Sequence, residues 1–141
     1  MMYLIMHEVG HTLGLNHNMK SSSIHSISEL YDSNKLKGKA ISGSVMDYPA
    51  LNLNPDQKIK SPYADSSVGH YDKWAIEFGY KPFKSEQERN EILSRSTDPL
   101  LIFGNDADIL YSSRGIDPRV QTNDMSSDPI SCLLYTSDAA D

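Results

Sequence analysis

Residues 7–17 read HEVGHTLGLNH, and the spacing of these side chains points to a chemistry before any element is assigned. His7 and His11 are four apart, so on an α-helix they stand about 40° apart around the axis and about one turn along it. Two imidazoles so placed can close on a single zinc ion at about 2.0–2.1 Å. Glu8 points to the side, within reach of a zinc-bound water without replacing it as a ligand. Gly14 lies three residues past His11, where φ > 0 can end a helix and turn the chain sharply. The turn lets His17 return as a third ligand. Three protein ligands leave a fourth position for water, which is the catalytic arrangement of zinc rather than the closed structural one. The competing reading is an amphipathic core helix with hydrogen-bonded histidines, and the added Gly14 and His17 weigh against it.

These side chains need elements to position them. The pattern predicts a helix over 2–14, with Tyr3, Leu4, Met6, Leu13 and Leu15 as core contacts and Gly14 as terminator. Residues 18–43 are polar, serine-rich and aperiodic, which predicts a long loop bordering the site with one helical turn near Ser28–Asp32. His25 lies in that loop and reads as solvent-exposed, since the metal already has three ligands. In GHYDKWAIEFGYKP, residues 69–82, an apolar stripe of Tyr71, Trp74, Ala75 and Phe78 predicts a second helix. Asp72 suits its positive end, and Gly79 is placed to stop it shortly before Pro82. Ser85 and Glu88 form a capping-box pattern for a surface helix from Glu86 to about Arg95. Leu100–Phe103 reads as a strand or a helix end. Asp106 and Asp108 read as a solvated turn rather than a calcium loop, and 114–130 as an extended connection.

At 141 residues the chain suits one domain with a real core. The net charge of −6 argues against nucleic acid or an anionic membrane as partner. No stretch approaches the roughly 20 apolar residues of a membrane span. Residues 1–6 are apolar but lack a basic region and a cleavage site, so they read as the middle of a longer chain rather than a secretory signal. Residues 132–141, CLLYTSDAAD, read as a non-native, adaptor-derived tail. That tail holds Cys132, the single cysteine, so neither a disulfide nor a thiolate ligand is expected.

HEVGHTLGLNH resembles the metzincin zinc-protease signature HExxHxxGxxH at every defining position. SVMDYP, residues 44–49, resembles the methionine turn of that group, which would make Met46 an apolar floor beneath the histidine rings. The resemblance implies that Tyr48 touches the metal or hydrogen-bonds the substrate oxyanion. Asp47 is left open between a hydrogen-bond acceptor for a ligand imidazole and a residue that stabilises the turn. Asp72, Ala75 and Ile76 match the helix that closes metzincin catalytic domains. With these motifs followed by GIDPRV and SSDPI, most of residues 1–131 resembles the large bacterial zinc metalloproteases of Met-zincin type.

That resemblance implies an α+β parent domain, of which this chain is a mainly α-helical part with long irregular loops. Residues 1–131 would be the C-terminal part of the catalytic domain and the start of the region after it. The sheet that holds an extended peptide would lie outside the chain, so these 141 residues are expected to be inactive alone. It further implies a secreted or envelope-associated Zn²⁺ endopeptidase acting on peptides or proteins. His7, His11 and His17 would be its ligands, Glu8 its general base and Tyr48 a second catalytic group. Two alternatives remain open at this point: a non-catalytic module stabilised by zinc, and a zinc hydrolase of a non-peptide substrate.

Overall fold

The computed structural model describes residues 1–56, 58–109, 115 and 117–132. Among the described residues the regular structure comprises α1 (Met2–Thr12), α2 (Ile27–Leu30), α3 (His70–Tyr80) and α4 (Glu86–Ser94), with a further helical stretch over 129–132. Short 3-10 turns and long irregular segments join them, and no strand occurs among the described residues.

Helix α1 ends where the sequence says it should. Gly14 has φ of +86°, its N–H donates to the His11 carbonyl at 3.0 Å, and the Leu15 N–H donates to the Gly10 carbonyl at 3.0 Å. The left-handed residue satisfies the last carbonyls of the helix. The packing face is narrower than expected. His7 and Gly10 are buried, and Tyr3 and Met6 half-buried, whereas Leu4 and Leu13 are exposed together with Met2, Ile5 and Val9. The most buried side of the helix is the stripe through Tyr3, His7 and Gly10, a spacing of i, i+4, i+7.

That stripe rests on residues 44–48. Met46 is fully buried, and a Cβ added to Gly10 would lie 2.3 Å from its sulfur. Glycine between the two histidines is therefore what lets the methionine turn approach the helix axis. Buried aspartates hold the turn itself. Asp72, in the first turn of α3, accepts from the Val45 N–H at 2.9 Å, from its own helix at Gly69 N–H (2.8 Å), and from the Ser44 hydroxyl. Asp47 accepts from Ser22 N–H (2.6 Å), the Ser21 hydroxyl (2.9 Å) and Tyr48 N–H (2.7 Å). Asp65 accepts from Ile41 N–H at 2.6 Å and from the Ser42 hydroxyl. An irregular backbone can be buried only if its N–H groups find acceptors, and these carboxylates supply them.

Residues 18–43 are consequently less solvated than their composition predicts. Ser21 and Ser22 are fully buried, and Leu30, Leu36 and Ile41 form a core cluster with Met125. The Ser26 hydroxyl and Glu29 cap α2 reciprocally. His25, expected in solvent, is half-buried, and burial lowers its pKa. The segment expected to be an extended connection packs back over the loop instead. Asn123 N–H donates to Tyr48 O (2.8 Å), Ala50 N–H to Asp124 O (2.9 Å), Ser126 N–H to Ser22 O (3.0 Å) and Gln121 N–H to Met19 O (3.2 Å). Met19, Ile109 and Val120 form a second small cluster beneath it.

Helix α3 runs through Gly79 to Tyr80. It stops because Pro82 forces Lys81 out of helical geometry (ψ 126°), so glycine is not the terminator. The expected aromatic stripe is present: Trp74 stacks on Phe78 with ring centres 6.0 Å apart, and Tyr71 stacks on Phe103 at 5.3 Å. The Trp74 indole N–H donates to Ile92 O of α4 at 2.8 Å, tying the two helices. Leu101 ends a 3-10 turn, Pro99–Leu101, and residues 102–105 continue without pairing as a strand. Residues 133–141 of the expected tail lie outside the described residues, as do Arg114 and Ile116 of the expected connection.

Candidate metal centre

Helix α1 and the turn that follows it bring the candidate ligands together. Helix α1 presents His7 and His11 on one face, and the Gly14 turn returns the chain so that His17 stands opposite. The ring centres are 4.8 Å (His7–His11), 5.3 Å (His7–His17) and 4.8 Å (His11–His17) apart. One nitrogen from each ring lies within 4.8 Å of the others. On a tetrahedral ion with bonds of about 2.05 Å, paired nitrogens stand about 3.3 Å apart, and His11 Nε2 and His17 Nε2 are 3.1 Å apart.

The other nitrogen of each ring is occupied. His7 Nδ1 bonds to Val45 O at 2.7 Å, and His11 Nδ1 to Leu15 O at 3.1 Å. His17 Nδ1 bonds to both carboxylate oxygens of Asp106, at 2.9 and 3.1 Å. A carbonyl or carboxylate can only accept, so Nδ1 carries the proton in each neutral ring and Nε2 is left as the free donor of electrons. His7 Nε2 is fully buried and has no hydrogen-bond partner. Burial also lowers the pKa of His7, which keeps its imidazole neutral. An orphaned, neutral, buried nitrogen beside two further imidazole nitrogens fits a borderline-soft divalent cation such as zinc.

The remaining expected residues divide into those at the cluster and those away from it. Tyr48 is exposed, with its hydroxyl 3.1 Å from His17 Nε2 and its ring centre 4.9 Å from those of both His7 and His17. Glu8 is exposed on α1, and its carboxylate makes no hydrogen bond or ion pair among the described residues. Its charge acts on the neighbouring His7 ring and favours protonation there. Asp47 touches no histidine side chain. Its role is the second of the two left open, holding the turn, and burial lifts its carboxyl to about 7. Tyr3 donates to the Asp47 carbonyl from the same helical face as His7. His25 is not among the three clustered histidines.

Asp106 is the residue at this cluster that sequence reasoning missed. It lies 89 positions from His17, and nothing in its local pattern separates it from a solvated turn.

The family model of the Met-zincins matches residues 1–139. The chain belongs to the Met-zincin family. No curated protein and no solved structure matches it. A Met-zincin is a protein of zinc-metallopeptidase type, and in this one the three-histidine cluster is a site that can bind a metal. No helix of this Met-zincin among the described residues is long and apolar enough to cross a membrane.

Proposed function

We propose that the protein is a zinc-dependent endopeptidase, with His7, His11 and His17 as the metal ligands and Glu8 as general base. The observation that carries this reading is the shared orientation of the imidazoles, each tethered at Nδ1, with the buried His7 Nε2 left without a partner. Zinc bound there supplies Lewis-acid chemistry, acidifying water and polarising a peptide carbonyl. Glu8 takes the proton of the attacking water and delivers it to the leaving amine, a role suited to a carboxylate with no competing partner. Tyr48, whose hydroxyl already lies at the cluster, donates a hydrogen bond to the oxyanion that develops on the scissile carbonyl. Met46 touches no substrate and fixes the height of α1 above the turn.

The substrate is a peptide or protein chain, bound on a sheet of the α+β catalytic domain, and the parent protein is secreted or envelope-associated. The exposed apolar residues of α1 (Met2, Leu4, Ile5 and Val9) suit coverage by such a sheet.

Metal analysis combined with hydrolysis of a fluorogenic peptide library by the full-length protein tests the proposal. Glu8→Gln is expected to keep zinc and lose roughly 10²–10⁴-fold in turnover. Tyr48→Phe is expected to keep zinc and lose a smaller factor, about 10–100-fold, in kcat. Undiminished turnover in Glu8→Gln would remove the assigned base. Zinc uptake without hydrolysis of any peptide would favour a module in which the metal only holds a surface together.

A further inference from the structure

We infer that Asp106 is a positioning residue for His17, fixing the imidazole tautomer and plane that leave Nε2 available to a zinc ion. This inference rests on the metal reading above. The three imidazoles are tethered in the same way at Nδ1 but not by the same kind of group. His7 and His11 use backbone carbonyls, whereas His17 uses the only side chain of the three, reached by both carboxylate oxygens. A carboxylate orients the ring as a carbonyl does and, being charged, also strengthens the opposite nitrogen as a ligand.

The fold delivers Asp106 to this position deliberately. Asp106 opens a 3-10 turn, Asp106–Asp108, in which the Asn105 side chain accepts from Ala107 N–H at 2.9 Å and Asp108 accepts from Asn105 N–H at 3.0 Å. The segment before the turn is bound to the residues immediately after His17. Asn18, fully buried, donates to Ile102 O (2.9 Å) and accepts from Gly104 N–H (3.1 Å), while Met19 N–H donates to Gly104 O (2.7 Å). Asn18 N–H also donates to Met46 O at 2.9 Å, so one residue joins the methionine turn, the third histidine and the Asp106 turn.

Exposure tells a positioning role from a stabilising one. The Asp106 side chain is 63% exposed, and ion pairs at such sites contribute little to folding. Removing it should leave the fold intact while weakening the metal site.

The test is zinc affinity, measured by chelator competition in the full chain for wild type, Asp106→Ala, Asp106→Asn and Asp108→Asn. Asp106→Ala should bind zinc about 10–100-fold more weakly, with the thermal midpoint of the metal-free protein within a few degrees of wild type. Asp106→Asn keeps an acceptor oxygen and should recover part of the loss. Asp108→Asn removes a nearby charge but keeps an oxygen to accept from Asn105 N–H, so the turn that carries Asp106 is retained and affinity should stay within about threefold of wild type. Nitrogen-15 NMR of the metal-free protein should find His17 protonated at Nδ1 in wild type, with that preference lost in Asp106→Ala. Wild-type affinity in Asp106→Ala, or an equal loss in Asp108→Asn, would overturn the inference while leaving the metal reading standing. Failure of the wild type to take up zinc would overturn both.

Discussion

Replacing Gly10 with alanine probes the contact on which the height of helix α1 depends. In the middle of α1 the change should help, because alanine is favoured over glycine by about 1 kcal/mol in a helix interior. Here the new methyl would stand 2.3 Å from the Met46 sulfur, with Leu15 Cδ1 a further neighbour at 3.7 Å. Ordinary van der Waals contact needs about 3.5 Å, so helix and turn must separate by about 1 Å, or a fully buried methionine must leave its rotamer. Overpacking of this kind costs about 1–3 kcal/mol, giving a net loss of up to about 2 kcal/mol. The same separation would move His7 and His11 relative to His17, so zinc affinity should fall alongside stability. The decisive measurement is a double-mutant cycle by urea denaturation. Met46→Ala alone should cost about 2–5 kcal/mol by leaving a cavity, and Gly10→Ala should become neutral or stabilising in its background. If Gly10→Ala proves stabilising in the wild type, or the coupling is below about 0.5 kcal/mol, the methionine turn does not set the helix position and the packing argument fails.

Asp72→Ala strands two buried backbone N–H groups, Val45 and Gly69, together with the Ser44 hydroxyl. At about 1–3 kcal/mol for each unsatisfied group, it should destabilise the protein by at least about 3 kcal/mol, read by chemical denaturation. The buried Asp47 gives a pH signature in the metal-free chain. Its folded pKa of about 7 stands above the ordinary 3.8, so over that window the folded state holds a proton that the unfolded state has released. Stability must then fall as pH rises from about 4 to about 7, by at most about 4 kcal/mol for this group. Asp47→Asn should remove most of that slope and keep only the shallower decline up to about pH 6 that Asp65 contributes. An unchanged slope in the variant would assign the dependence elsewhere.

Local regularities were readable in the sequence, and long-range polar contacts were not. The Gly14 turn follows from the restricted φ of other residues, and the helices over 70–80 and 86–94 from periodicity and a capping serine. A motif points to Met46 and Tyr48: Met46 packs against Gly10, between the two helical histidines, and the Tyr48 hydroxyl reaches His17. The misses share one cause. Composition marks serines and aspartates as solvated, yet Ser21, Ser22, Asp47, Asp65 and Asp72 are buried because each finds a hydrogen-bond partner tens of residues away: Asp47 takes Ser21 and Ser22, Asp65 takes Ile41 and Ser42, and Asp72 takes Ser44 and Val45. No period announces such pairing. Leu4 and Leu13 erred in the opposite direction, since an apolar residue on a helix need not face the core.

The tethering of Asn18 and Met19 to residues 102–104 and 121 bears on the order in which the protein comes together. Translation delivers the helix with the first two imidazoles early, but the strap that seats the third is made roughly a hundred residues later. Contacts this distant along the chain form slowly. A ribosome-bound chain would thus carry two histidines in register well before the third was seated, and the three-histidine cluster would be complete only once the far segment had docked.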